Sequence, residues 1–351
     1  MRSYDVARFG APLEFFERPT PKPAGTEVLV RTLAAGVCHS DLHLWEGEYD
    51  LGGGKKLHVK DRGITPPFTM GHEIVGEVVA LGPEATGAKV GDRRLVHPWI
   101  GCGTCAVCRR GDEHLCASPR FLGVQKPGGY SDHVLVPHPR YLVEFGALSP
   151  EQAAPFACSG VTAYGALSKF APSLIKSEPV VVIGAGGLGL MALSVLQAMG
   201  GAGAVVVDID AKKREAATKA GALAVVDSGT ADAVKEIQAA TKGGAHAVID
   251  FVGSSTTARI GTDALAKGGK YVIVGLFGGD LTLSLPMIPW RAISIQGSYT
   301  GNLRELKELM TLVATGRVPP VPLTRHPLHE ANHALERLKA GQVIGRAVLV
   351  P

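Results

Sequence analysis

The chain has 351 residues, a formal net charge of +4, 46% hydrophobic residues and 19% charged residues. That length suits two domains rather than one core, and the composition excludes a disordered chain. There is no dense Lys/Arg block, no apolar run of membrane-spanning length and no signal-peptide core in MRSYDVARFG. A cytoplasmic globule that binds neither nucleic acid nor membrane is therefore expected.

In chain order, the first half reads as short valine-rich strands set off by glycine and proline, at 27–34, 74–81 and 131–136. From about Glu151 strands alternate with helical runs: strand 179–183, helix 188–199, strand Ala204–Asp208, helix 212–220 and strand Ala224–Asp227. Helix 231–241, strand 247–251, helix 260–265 and strand 271–276 follow. This alternation implies a parallel sheet with right-handed crossovers. One or two helices, a proline-rich segment and a last strand, Arg346–Val350, complete the chain; that strand is free to rejoin the first domain.

Strand 179–183 runs straight into Gly184-Ala185-Gly186-Gly187-Leu188-Gly189 and then a helix. In that context G-x-G-x-x-G predicts a dinucleotide cradle: a tight turn, close backbone approach to a pyrophosphate and close helix–strand packing. The helix N-terminus adds unpaired N–H groups for the phosphates. Asp208 ends the next strand, where a carboxylate holds an adenosine ribose and repels a 2′-phosphate, so NAD is expected over NADP. Lys213, with Lys212 and Arg214 beside it, is a further cofactor-contact candidate that bears on this preference.

The six cysteines fall into two groups. Cys102, Cys105, Cys108 and Cys116 lie in one short loop, GCGTCAVCRRGDEHLC. Four soft thiolates close the coordination sphere of a tetrahedral zinc, which makes this site structural. The spacing differs from the common ferredoxin patterns, and an iron–sulfur cluster is the weaker reading. Cys38 follows a strand in GVCHSD, His72 sits in GHE before another strand, and Cys158 opens CSG. A Cys/His/Cys set would leave zinc a fourth position for water or substrate, but spacing alone does not assemble residues so far apart.

Five separated signals then carry a resemblance: GVCHSDLHLWEG, GHE, the four-cysteine loop, CSGVTAYGAL and VVIGAGGLGLMAL. In this order they resemble the zinc-containing medium-chain alcohol dehydrogenases over nearly the whole chain. The resemblance implies an α/β protein with a GroES-like β-rich catalytic domain (1–159 and 296–351) and a Rossmann doubly wound parallel-sheet coenzyme domain (160–295). It assigns Cys38, His72 and Cys158 to a catalytic zinc and Glu73 to an acid able to approach that metal. By the same resemblance Asp41 orients the liganding histidine. Ser40 and His43 form a proton relay, and His39 contacts the cofactor pyrophosphate. Trp45 and Trp99 are expected to narrow the substrate pocket, favouring a primary, allylic or aromatic alcohol. Two zinc ions and NAD per chain, a small alcohol or aldehyde substrate and a homo-oligomer (tetramer or dimer) complete the expectation.

The interval between Cys38 and His72 departs from the resemblance by being long, and its segment 50–63 reads as a surface insertion or a partial lid. A polyol or sugar-alcohol dehydrogenase of the same superfamily is the rival enzyme. A zinc-binding nucleic-acid module is disfavoured by the lack of aromatic–basic interleaving, and a non-catalytic NAD sensor by the intact triad and relay.

Overall fold

A computed structural model describes residues 1–351. Its six-stranded sheet has the order Ala224–Asp227, Ala204–Asp208, Val180–Ile183, Ala245–Asp250, Leu265–Ile273, Ser294–Gly297. Every neighbouring pair is parallel. Parallel strands covered on both faces need continuous apolar runs, and Val180–Ile183 has all four residues buried. The strand order reverses between Val180–Ile183 and Ala245–Asp250, which makes their carboxyl ends the switch point where such sheets bind ligands.

The other half holds a mixed sheet in which Glu73–Leu81, Val28–Val37 and Arg346–Val350 are central neighbours. Arg346–Val350 pairs antiparallel with Val28–Val37 and parallel with Leu323–Pro327. The last strand thus rejoins the first half. A three-stranded sheet (Glu14–Glu17, Arg2–Val6, Phe68–Thr69) and a separate two-stranded hairpin (Glu48–Asp50, Lys56–His58) complete the β-structure.

One buried cluster runs through both halves, from Ala34, Val75 and Trp99 to Val182, Leu190 and Leu306. Each of its valines and leucines contributes roughly 1.5–3 kcal/mol on burial, so the halves share a core rather than a thin contact. No helix is long and apolar enough to cross a membrane.

Several boundaries differ from the sequence reading. The helix expected at 260–265 is Ser255–Asp263. It starts at a capping box in which Ser254 Oγ accepts from Thr257 N (3.2 Å) and Thr257 Oγ1 accepts from Ser254 N (3.0 Å). Threonine in place of the usual Glu or Gln hides this start in the sequence. Strands Ser294–Gly297 and Leu323–Pro327 were not anticipated; both are edge strands with little apolar pattern.

Candidate active site

Three peptide segments converge where the two halves meet. Cys38 directly follows Val28–Val37 and caps helix His39–Glu46, while His72 stands just before Glu73–Leu81. Cys158 lies between the short turn Ala154–Ala157 and helix Ser159–Leu167. Val28–Val37 and Glu73–Leu81 are paired, with Gly36 opposite Glu73, which brings Cys38 and His72 to the same end of the sheet. The ligand atoms of Cys38, His72 and Cys158 all lie within 4.8 Å of one another, and all three residues are buried.

Cys38 Sγ and Cys158 Sγ are 3.9 Å apart. Two thiolates each about 2.3 Å from a tetrahedral zinc stand about 3.8 Å apart, whereas a disulfide holds its sulfurs at about 2.05 Å. His72 is fully buried, and its Nε2 has no hydrogen-bond partner in the protein. The donor set therefore fits zinc. Without metal, a hydrogen bond from Cys158 holds the Cys38 thiol well below its usual range, His72 and Arg346 adding to the effect against burial.

Asp41 organises this cluster. Its Oδ2 accepts from Cys38 N (2.9 Å) and from the Tyr130 hydroxyl (3.1 Å), and its Oδ1 lies 3.1 Å from His72 Nδ1. A carboxylate beside Nδ1 would leave the imidazole's other nitrogen for a metal. Glu73 is also fully buried. Both of its oxygens are 2.6 Å from Arg346 Nη2, and Oε1 accepts from Ser159 N at 3.3 Å. Burial pushes the Glu73 carboxyl up to about 7, with the Arg346 guanidinium pulling the other way.

Helix His39–Glu46 carries Ser40 and His43. Ser40 Oγ is 3.9 Å from Cys38 Sγ. His43 packs edge-on to His39 at 5.6 Å and against Tyr49 at 4.6 Å between ring centroids. Burial, then the neighbouring His39, lowers the His43 pKa, so its imidazole stays neutral near pH 7. His39 is exposed at the helix start.

Trp99 adjoins the cluster: its ring is 5.3 Å from that of His72, and its Nε1 donates to Ala157 O at 3.0 Å. Trp45 does not. Its Nε1 donates to Ala11 O (2.5 Å), Lys339 lies over its ring at 5.0 Å, and it packs on the cluster containing Leu13 and Leu335. Two residues along a helix is a rotation of about 200°, so a helix that turns His43 to the cleft turns Trp45 away. The pocket assignment of Trp45 is thus corrected. Phe121 (5.2 Å) and Tyr299 (6.4 Å) flank Trp99 instead.

Cys102, Cys105, Cys108 and Cys116 form the second group, again within 4.8 Å. The Sγ–Sγ distances of 102–108 and 105–116 are both 3.9 Å, and 105–108 is 3.4 Å. Cys102 N and Ser118 N point at Cys116 Sγ (3.3 Å each), and Cys105 N points at Cys102 Sγ (3.4 Å). Backbone donors aimed at sulfur favour thiolates, and the Thr104 hydroxyl brings Cys102 down to about 5. Four closely spaced thiolates fit a closed, structural zinc.

At the switch point Gly184 has φ of +95°, a Cβ on Gly186 would meet nothing within 4 Å, and one on Gly189 would run into the Gly184 carbonyl. These are the turn, the open approach and the tight packing that the motif predicts. Gly187 and Leu188 form the first turn of helix Gly187–Ala198. Asp208 Oδ2 accepts from Ala185 N (2.7 Å) and Oδ1 from Asp210 N (2.9 Å). Arg214 is occupied: Nη1 donates to the carbonyls of Asp208 and Ile209, and Nη2 pairs with Asp227 at 2.8 Å. Lys213 donates its backbone N to Asp210 at 3.1 Å, at the start of the helix after Asp208.

Sequence reasoning missed Arg346, Tyr130 and Tyr49. Arg346 is the most telling, because it joins Glu73 to the nucleotide cradle: a Cβ on Gly187 would lie 2.7 Å from Arg346 Cδ. An arginine opening an otherwise apolar strand was the available signal.

Residues 24–146 match the alcohol dehydrogenase GroES-like domain and residues 187–315 the zinc-binding dehydrogenase family. The chain belongs to the zinc-containing medium-chain alcohol dehydrogenase family and is an NAD-dependent alcohol dehydrogenase. It is 44% identical, over all of both chains, to an NAD-dependent alcohol dehydrogenase of Sulfurisphaera tokodaii. It superposes on the alcohol dehydrogenase of Aeropyrum pernix with a TM-score of 0.90 at 34% identity, each chain covered in full. It is also 34% identical to a D-arabinose 1-dehydrogenase (NADP(+)) of Saccharolobus solfataricus, over 99% of this chain and 96% of that one.

Proposed function

We propose that the chain oxidises primary, allylic or aromatic alcohols reversibly, with Cys38, His72 and Cys158 holding the zinc at the reacting centre. The observation that carries this reading is the buried Cys/Cys pair at thiolate spacing beside the unpartnered His72 Nε2. When bound, zinc lowers the pKa of a hydroxyl oxygen and NAD accepts hydride from its carbon. The chain's own residues then do the rest. Asp41 sets the His72 tautomer, and Ser40, beside Cys38, takes the hydroxyl proton. The neutral His43 receives that proton through the relay and passes it outward. Glu73, held by Arg346, keeps a second carboxylate next to the cluster. His39, at the mouth of the helix, is assigned to the pyrophosphate.

Trp99 beside His72, with Phe121 and Tyr299 packed on it, puts aromatic surface next to the cluster, which supports apolar or aromatic alcohols over polyols. The GroES-like half is taken as 1–159 with 296–351 and the Rossmann half as 160–295; the last parallel strand, ending at Gly297, sits across that boundary. The cytoplasm, which keeps thiols reduced for metal, belongs to the same reading. Ser294–Gly297 is a sheet edge with all four residues exposed, beside exposed Leu285 and Trp290, which supports self-pairing into a homo-oligomer.

Purified enzyme should hold two zinc ions per chain, scatter light as a multiple of the chain mass, and show its highest kcat/KM with NAD on benzylic or allylic alcohols. A polyol or aldose turned over faster than every aromatic alcohol would overturn the substrate class.

Asp208 is assigned to coenzyme choice. Asp208→Gly should raise kcat/KM for NADP relative to NAD by about tenfold to a hundredfold, or about 1.4–2.8 kcal/mol. It removes the charge that opposes a 2′-phosphate, while Arg214 stays committed to Asp227. An unaltered NADP/NAD ratio in this variant would refute the assignment.

A further inference from the structure

The tip of the long interval before His72 does not stand free in solvent. Strands Glu48–Asp50 and Lys56–His58 pair in register Asp50 to Lys56. The five residues between them close on themselves through Leu51 N to Lys55 O (2.9 Å), Lys55 N to Gly52 O (3.0 Å) and Gly52 N to Asp50 Oδ1 (2.8 Å). Gly52 is nonetheless buried, because it faces Gly279 of the other half. A Cβ on Gly52 would lie 2.5 Å from the Gly279 carbonyl carbon and oxygen, and one on Gly278 would lie 2.6 Å from Asp50 Cβ. Backbone therefore meets backbone across the cleft, at a distance only glycine permits. No hydrogen bond or ion pair joins the two sides, so the contact is held by shape and parts at little cost.

The site of this contact matters. Segment 274–280 leaves the carboxyl end of Leu265–Ile273, on the opposite side of the switch point from Asp208. With the adenosine ribose at Asp208, a dinucleotide laid across the strand ends carries its nicotinamide half over the loops after Ala245–Asp250 and Leu265–Ile273. Those loops are tied together by Phe277 N to Val252 O (3.1 Å) and Gly278 N to Gly253 O (3.0 Å). Asp280 N donates to Ser255 Oγ at 2.9 Å, fixing the far end. The other root of the hairpin is Gly47, the left-handed cap of the helix that carries Ser40 and His43, and hairpin residue Tyr49 packs on His43.

We propose that the hairpin tip, residues 50–55, is part of the coenzyme site: it clasps the nicotinamide half of the groove from the opposite domain and sets the rate at which coenzyme leaves. The contact of Gly52 with Gly279 parts for exchange, and Tyr49 moves with it, so coenzyme exchange is coupled to the packing of His43. The inference rests on NAD binding at the switch point.

Two variants of the zinc-replete, full-length enzyme test it, with NADH as probe. In the first, residues 51–55 become Asn-Gly, a two-residue turn that joins Asp50 to Lys56 and keeps Tyr49 in place. NADH dissociation, followed by stopped-flow fluorescence, should accelerate about tenfold with zinc content and melting temperature unchanged. In the second, Gly53→Cys and Asp280→Cys are combined, because a Cβ on Gly53 would lie 3.9 Å from Asp280 Oδ2. Oxidation should slow NADH release about tenfold and dithiothreitol should restore it, with unaltered enzyme treated alike as control. Unchanged release in whichever variant is folded, or in the cysteine pair once oxidised, overturns the clasp. Failure of the unaltered enzyme to bind NADH at all would instead strike the NAD reading beneath it.

Discussion

Cys38→Ser should leave a folded protein with one zinc per chain and turnover reduced at least about a thousandfold, roughly 4 kcal/mol of lost transition-state stabilisation. Cys38 is 3% exposed and supplies one of only two thiolates in its cluster. A serine hydroxyl is a poor ligand at neutral pH, and His72 with Cys158 alone would hold the metal weakly. The fold should tolerate the change. Serine is a favoured helix N-cap, and the Cys38 backbone N that donates to Asp41 is untouched. The four-cysteine loop lies elsewhere and should keep its zinc. Elemental analysis, a thermal melt and the NAD-linked rate decide the matter together. A rate within tenfold of the unaltered enzyme, or a loss of both metals, would remove Cys38 from the reacting centre.

Arg346→Met should cost about 3–5 kcal/mol of stability, the usual penalty for stranding one member of a buried ion pair. Arg346 is 4% exposed and Glu73 is fully buried, and Ser159 N at 3.3 Å is the other donor to that carboxylate. Without the guanidinium, burial and the two neighbouring sulfurs drive the Glu73 carboxyl further above about 7, so it must either keep an unpaired buried charge or take up a proton, and both cost stability. Methionine fills the volume, so packing against Gly187 is largely kept and the charge effect is isolated. Adding Glu73→Gln should recover most of the loss, because the double variant replaces a broken pair by a neutral amide. Denaturant unfolding of the two single variants and the double closes the cycle. A double variant no more stable than Arg346→Met alone would show that the pair is not what holds this strand to the cradle.

The features legible in the sequence are those whose physics is local. Ala204–Asp208, Ala224–Asp227 and Arg346–Val350 have the expected bounds, because continuous apolar runs between turn residues define them. The Gly184–Gly189 turn and the four-cysteine loop are likewise complete within a few residues. The helix expected at 260–265 lies at Ser255–Asp263 instead, because it begins at an unusual cap, Ser254 with Thr257. Trp45 was misassigned because adjacency to His43 in sequence says nothing about which helix face each occupies.

The tertiary structure alone decided what lies far apart in sequence. Cys38 and Cys158 meet because the turn before Cys158 packs on the paired strands Val28–Val37 and Glu73–Leu81. Their motifs suggested ligands only through a resemblance, since spacing carries no distance across so long a loop. Glu73 and Arg346 become partners because the last strand returns to the first sheet, a choice no local pattern encodes. The contact of Gly52 with Gly279 is the clearest case. Two glycines in separate loops look like ordinary turn residues, and only the approach of one domain to the other gives their missing side chains a purpose.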